Sequence, residues 1–171
     1  DDLLDLELLS WSDADWAGDS EHTKSTGGLY LELFGPTTGN TWPLTWAVKK
    51  QTATASSTAE SETVALSQST RQEALPMRDL LRTMLGTDPV LICRVDNTQA
   101  ITAVERGYSK KLRYLERCHK CSIGILHELW ETGEILVEHW PTATHKGDGF
   151  TKALVPAKFL EARRLMGIRL K

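Results

Sequence analysis

Early in the chain, apolar residues come in short runs bounded by turn formers, the pattern of strands. Residues 6–14 form one such run and carry Asp13 near its end. Residues 28–34 (Gly-Leu-Tyr-Leu-Glu-Leu-Phe) form a second, closed by the turn cluster Gly35-Pro36-Thr37-Thr38-Gly39-Asn40. Residues 41–48 form a third, and Pro43 suits an edge position there because proline offers no N–H to a ladder. Short turns between the three predict an antiparallel meander.

The pattern then turns helical. Ser56-Ser57-Thr58 supplies N-cap candidates for a long helix that runs to Leu85 and closes at Gly86, with Pro76 expected to kink or split it after Leu75. Residues 90–95 are apolar apart from Arg94, as in a buried central strand. A short helix is expected over 97–105, ending at Gly107, and another over 114–132. Residues 135–140 read as a fifth strand, and 147–165 as helical with a break at Pro156. This order predicts a single α/β domain with a five-stranded mixed sheet, three antiparallel strands followed by two parallel ones, flanked by helices.

The bulk properties agree. At 171 residues and 40% hydrophobic, the chain is long enough for one core, and 25% charged residues argues against general disorder. There is no run of 18 apolar residues to predict a membrane span. The acidic opening (Asp1, Asp2, Asp5, Glu7) is unlike a secretory or mitochondrial leader, and the absence of Met at position 1 suggests a piece of a longer polypeptide. Three widely spaced cysteines argue against a disulfide framework and for a reducing compartment. A net charge of -3 does not advertise nucleic-acid binding, but its distribution does. Between residues 106 and 120, Arg106, Lys110, Lys111, Arg113, Arg117 and Lys120 are opposed only by Glu116. Lys49 and Lys50 form a second basic point. The larger patch follows Asp96-Asn97, which points Lys110, Lys111 and Arg113 toward phosphates.

Four acidic residues stand at the edges of predicted elements: Asp13, Glu62, Asp96 and Asp148. If the first strand neighbours the fourth in parallel, Asp13 and Asp96 lie side by side at the carboxyl ends of the strands. Asp15 shares a strand face with Asp13, so periodicity leaves the two open. Glu62 lies one turn before Leu66 on the apolar stripe, whereas Glu60 leads to a mostly polar face, so Glu62 is expected to face the sheet. Asp148 alone reads as a helix-start aspartate. Converging carboxylates repel until hard cations arrive. Two Mg²⁺ ions about 3.5–4 Å apart suit in-line attack of water on phosphorus. His145, three residues before Asp148, is a candidate for proton shuttling or product release. Cys118-His119-Lys120-Cys121 with His127 lacks the second half of a zinc site, so helix-buried thiols explain it better. Most of the six tryptophans sit at positions suited to core or rim packing.

Taken in order, several segments resemble the ribonuclease H domain of copia-type LTR retrotransposon polyproteins. They are Ser12-Asp13-Ala14-Asp15-Trp16-Ala17-Gly18, Lys24-Ser25-Thr26-Gly27-Gly28, Trp46-Ala47-Val48-Lys49-Lys50-Gln51 and Ser57-Thr58-Ala59-Glu60-Ser61-Glu62. Asp96-Asn97-Thr98-Gln99-Ala100, Gly133-Glu134-Ile135, Pro141-Thr142 and Asp148-Gly149-Phe150-Thr151-Lys152 follow. The resemblance implies a ribonuclease H-like fold and endonucleolytic cleavage of RNA paired to DNA with two Mg²⁺, or Mn²⁺. It places the metal-binding catalytic carboxylates at Asp13, Glu62, Asp96 and Asp148. It sets Asn97 and Gln99 against the hybrid and Lys49 and Lys50 on a basic edge. It also implies a polymerase domain on the same polyprotein, with residues 1–9 as an acidic linker, 10–167 as the domain and 168–171 as a tail. A monomer is expected for the isolated domain, in a cytoplasmic particle or the nucleus. Pro76 replaces a bulky residue of the family, and its Lys-His pair is altered around Arg117-Cys118-His119. The alternative reading is a domain of the same fold that binds nucleic acid without cutting it.

Overall fold

The computed structural model describes residues 5–16 and 23–168. Its sheet is built from β1 (Glu7–Asp15), β2 (Thr26–Gly35), β3 (Asn40–Lys50), β4 (Val90–Val95) and β5 (Leu136–His139), in the order β3-β2-β1-β4-β5. The first three strands pair antiparallel, while β4 joins β1 and β5 joins β4 in parallel. This is the mixed sheet that the residue pattern predicts. Strand β1 starts at Glu7, inside the expected leader, and residues 169–171 of the expected tail lie outside the described residues. Pro43 does lie on the edge strand, next to a register shift that leaves Leu44 as the extra residue. A missing N–H costs least there.

Two layers cover the sheet. On one face Leu8, Leu31, Leu91, Cys93 and Val95 pack against helices α1 (Thr58–Gln68), α2 (Leu75–Leu85), α3 (Thr98–Arg106) and α5 (Ile123–Glu131) through Leu66, Leu81, Val104 and Leu126. On the other face Leu9, Trp11, Tyr30 and Ile92 meet Met166, with Phe150 and Ala162 packed against them. Those two residues come from α6 (Asp148–Thr151) and α7 (Pro156–Leu165). Alternation of side chains along β1 sends even positions to the first layer and odd positions, Asp13 among them, to the second.

The long helix expected over 58–85 is interrupted earlier than Pro76 predicts. Residues Ser69–Ala74 form a π-helical turn between α1 and α2, so Pro76 falls in the first turn of α2. The wider turn spares the carbonyl four residues before Pro76 a clash with its ring. The helix expected over 114–132 is two: α4 (Leu115–His119) and α5, separated by Lys120 at φ 55. Cys121 and Ile123 are both buried with Leu112 and Leu115 against Ala59 and Val64. Two residues apart on one helix they would point to nearly opposite sides, so the chain leaves the helix between them. Of the two thiols in this stretch only Cys121 is buried, and Cys118 is exposed, so burial explains only one of them. Among the described residues no helix is long and apolar enough to cross a membrane.

Candidate active site

Strand pairing brings the first two carboxylates together. The parallel β1–β4 register runs from Glu7↔Val90 to Trp11↔Arg94. Asp13 and Asp96 each follow two residues later, so they leave the sheet side by side on the α6–α7 face. Glu62 reaches the same spot from the opposite layer, because α1 packs along β1 with Leu66 in the core one turn beyond it. Carboxylate oxygens of Asp13, Glu62 and Asp96 all lie within 4.8 Å of one another. Asp15, the last residue of β1, is outside this group. Glu60 departs from its expected polar face: it is 4% exposed, takes hydrogen bonds from the Ser56 N–H and hydroxyl, and has Oε1 3.3 Å from His119 Nε2. The cause is that α1 lies between the sheet and helices α3 to α5, which buries both of its sides.

The cluster is short of positive charge. Burial pushes the Glu62 carboxyl up to about 9, and the neighbouring Asp13 and Asp96 push the same way. Glu62 Oε1 accepts one hydrogen bond, from the Ala14 N–H at 3.3 Å, while the buried Oε2 has no partner. Burial likewise raises Asp13, against the opposing pull of the Thr151 hydroxyl and Lys152. Three near-coincident carboxylates with an unsatisfied buried oxygen are costly unless a cation joins them. A donor set made only of oxygens fits Mg²⁺ or Mn²⁺, the hard end of the divalent series.

Threonine hydroxyls orient two of the three. Thr142 Oγ1 donates to Asp96 Oδ2 at 2.8 Å, and Thr151 Oγ1 donates to Asp13 Oδ2. Asp148 opens α6 but is not part of the three-carboxylate group; its Oδ1 is paired with Lys152. Glycine lets α6 come this close. A Cβ on Gly28, the β2 partner of Asp13, would sit 2.7 Å from the Thr151 methyl and 2.9 Å from Phe150 Cβ. One on Gly147 would sit 2.9 Å from His145 Cε1 and 3.2 Å from Asp13 Cβ.

His145 is not the solvated loop residue that proton shuttling would favour. It is 4% exposed, its Nε2 lies 3.0 Å from the Arg94 carbonyl, and its ring meets Trp11 edge-on. The neighbouring Lys146 donates twice to Glu32, both at 2.6 Å, and Trp11 Nε1 donates to the same carboxylate at 2.9 Å. Glu32 and Lys146 were not among the residues singled out by spacing, and neither were Thr142 and Thr151. The two threonines carry a faint signal, since they belong to segments quoted with Asp148 and Pro141. Glu32 carries only the oddity of an acid inside an apolar strand.

The expected nucleic-acid contacts divide. Gln99, Lys110 and Lys111 line one groove of about 550 Å³ with Thr98, Thr102 and Arg106. Arg113 lines the adjoining groove and stacks over Tyr114 at 4.8 Å. Asn97 Oδ1 is taken up as the N-cap of α3, accepting from the Gln99 and Ala100 N–H groups. Lys49 is held by Glu73 and Gln72, each at 3.1 Å, which ties it to the π turn, while Lys50 is exposed at the end of β3. Trp11 is buried and Trp130 and Trp140 pack against the core, whereas Trp16, Trp42 and Trp46 are exposed, so half of the six, rather than most, are packed. Trp46 lines a hollow beside α7 whose floor includes the buried Tyr30 and the partly buried Phe150.

No family model matches the chain. It is 28% identical over 166 residues to the retrovirus-related Pol polyprotein from transposon RE2 of Arabidopsis thaliana, covering 95% of this chain and 11% of that protein. The RE1 polyprotein of the same plant is 27% identical, with 95% and 10% covered. The chain thus spans about a tenth of the length of these relatives. The secreted RxLR effector protein 161 of Plasmopara viticola is 41% identical over 66 residues, 39% of this chain and 42% of that protein. Among solved structures, ribonuclease H1 of Halobacterium salinarum NRC-1 superposes with a TM-score of 0.52 at 15% identity, covering 84% of this chain and 93% of that one. The resemblance read from the ordered motifs therefore extends over nearly the whole chain, and the fold is of the ribonuclease H type.

Proposed function

We propose that this chain, a ribonuclease H-type relative of copia-type Pol polyproteins, hydrolyses the RNA strand of RNA–DNA hybrids. The observation that carries the reading is the meeting of Asp13, Glu62 and Asp96 with a buried, unpartnered Glu62 oxygen. Asp13, Glu62 and Asp96 would hold one divalent ion, and Asp13 with Asp148 a second. When bound, such ions supply the positive charge that favours both the attacking and the departing oxygen at phosphorus.

The protein's own residues do the positioning. Thr142 and Thr151 each engage one oxygen of Asp96 and Asp13, leaving the other oxygen for the cation. The groove of Gln99, Lys110 and Lys111 receives the phosphate backbone, and groups near Asp96 read the ribose hydroxyl that distinguishes RNA from DNA. With a net charge of -3 the chain grips few phosphates on its own, so a polymerase domain of the same polyprotein is the proposed partner that holds the duplex.

The test is cleavage of end-labelled hybrid, duplex RNA and duplex DNA with Mg²⁺ or Mn²⁺. The expected result is cutting of the RNA strand of the hybrid alone, abolished by Asp96→Asn with unchanged circular dichroism. Binding of hybrid without cutting at any metal concentration would favour the reading of a non-catalytic nucleic-acid-binding domain.

A further inference from the structure

Strand β3 and helix α7 leave apolar side chains standing in water. Trp46 and Val48 on β3, Phe159 on α7 and Ile168 just after it are 48–63% exposed. Trp46 is registered with Tyr30 and Val48 with Gly28, so both stand on the face that α6 and α7 cover. Between Trp46 and Phe159 lies a hollow of about 210 Å³, walled also by Pro43, Phe150 and Met166. Tyr30, at its floor, spends its hydroxyl on the Met166 carbonyl at 3.4 Å. Arg163, the charged residue of the lining, donates through Nε to the Ile168 carbonyl at 3.4 Å. What enters therefore meets rings and methyl groups. Exposed apolar patches around an aromatic hollow mark protein interfaces, where the hollow takes an anchoring side chain.

Pairing of β3 with a second copy is disfavoured, because Pro43 has no N–H to offer and the extra residue Leu44 breaks the even row of the edge. The path of the chain favours a tethered domain instead. Glu7 pairs with Phe34 and Phe34 with Thr41, so the first described residues enter the sheet at the end where β3 starts. The residues after α7 lie at that end too, since a Cβ on Gly167 would be 3.9 Å from Thr41 Oγ1. A domain joined ahead of β1 is thus held beside the hollow, at an effective concentration on the order of 1 mM for a short linker. The Arabidopsis polyproteins, of which this chain spans 10–11%, have the length to carry such a domain. The groove of Gln99 and Lys110 belongs to α3 and the loop after it, on the β4 side of the sheet, so an occupant of the hollow leaves it open.

We propose that the hollow between β3 and α7 receives an apolar side chain of the polymerase domain of the same polyprotein, which makes this flank the interdomain face. The inference rests on the polymerase partner named above and adds to it the place of contact.

Photo-crosslinking within the whole polyprotein tests this without any cleavage. p-Benzoylphenylalanine in place of Trp46 or Phe159 is expected to crosslink to peptides of the polymerase domain, and in place of Met84, 69% exposed on α2, to give none. Phe159→Glu is expected to lower the yield from position 46 by about 5-fold or more. Trp46 and Phe159 stand in solvent, so neither replacement empties the core. Polymerase crosslinks from position 84 alone, or equally from all three positions, would overturn the proposal and leave the polymerase partner standing. Crosslinks from 46 and 159 only to other copies of this chain would overturn it by assigning the face to a dimer. The absence of polymerase crosslinks from every position would overturn the partner reading along with it.

Discussion

Two glutamates of this protein are buried to a similar depth and treated in opposite ways. Glu32 is 0% exposed and receives two bonds from Lys146 and one from Trp11. Glu62 is 3% exposed, receives one backbone bond, keeps Oε2 unpartnered and faces two other carboxylates. One charge was buried with its counter-ion. The other was buried beside like charges, and burial lifts its carboxyl to about 9. The first arrangement holds the segment that carries Asp148 against β2; the second leaves a proton on Glu62 in the free protein and a place where a cation could displace it.

Substitution at the two positions should therefore move activity and stability in different directions. Glu62→Gln is expected to lower hybrid cleavage by about 10³-fold or more, since it removes a ligand from the cluster. The same variant should unfold at a higher temperature than wild type in chelator. A variant as active as wild type would break the comparison at once. Glu32→Gln leaves the Lys146 ammonium buried without its charge partner, and a loss of about 3–5 kcal/mol in urea unfolding is expected. Replacing both Glu32 and Lys146 by methionine should restore most of it, because the cost lies in the unpaired charge.

A further effect follows from pH. The folded chain holds a proton on Glu62 that the unfolded chain, with the ordinary value of 4.5, gives up. Metal-free stability should accordingly fall as pH rises from about 4.5 to about 9, by no more than about 1.4 kcal/mol per pH unit. Glu62→Gln should flatten that slope in melts taken across the range, and an equally steep slope would remove Glu62 as its source. Smallest of all, Thr142→Val and Thr151→Val are each expected to weaken Mn²⁺ affinity about 10-fold, with serine restoring it.

Most of the sheet was legible because its signals are local. Turn clusters bounded the antiparallel strands, whereas the parallel neighbourhood of β1 and β4, on which the meeting of Asp13 with Asp96 was conditional, came only from the strand pairing. The stripe through Leu66, a local signal too, selected Glu62 over Glu60, though it misjudged the surroundings of Glu60. What stayed hidden depends on contacts across the chain. Lys146 meets Glu32 across 114 positions, and Thr151 meets Asp13 across 138. No periodicity within either segment reports such a meeting. The break between α4 and α5 was hidden too, because the need to bury both Cys121 and Ile123 comes from α1 packing over them. The enclosure of His145 by Trp11 and the Arg94 carbonyl was hidden for want of the same information.

The central claim is that the Asp13–Glu62–Asp96 cluster lacks one positive charge and takes it as a divalent ion. Calorimetric titration of Mn²⁺ into the nucleic-acid-free protein at pH 7, in two buffers of different ionisation heat, measures this most directly. Uptake of an ion with release of about one proton is expected, supplied by Glu62, and that release should vanish in Glu62→Gln. Absence of binding, or binding with no proton released, would contradict the account.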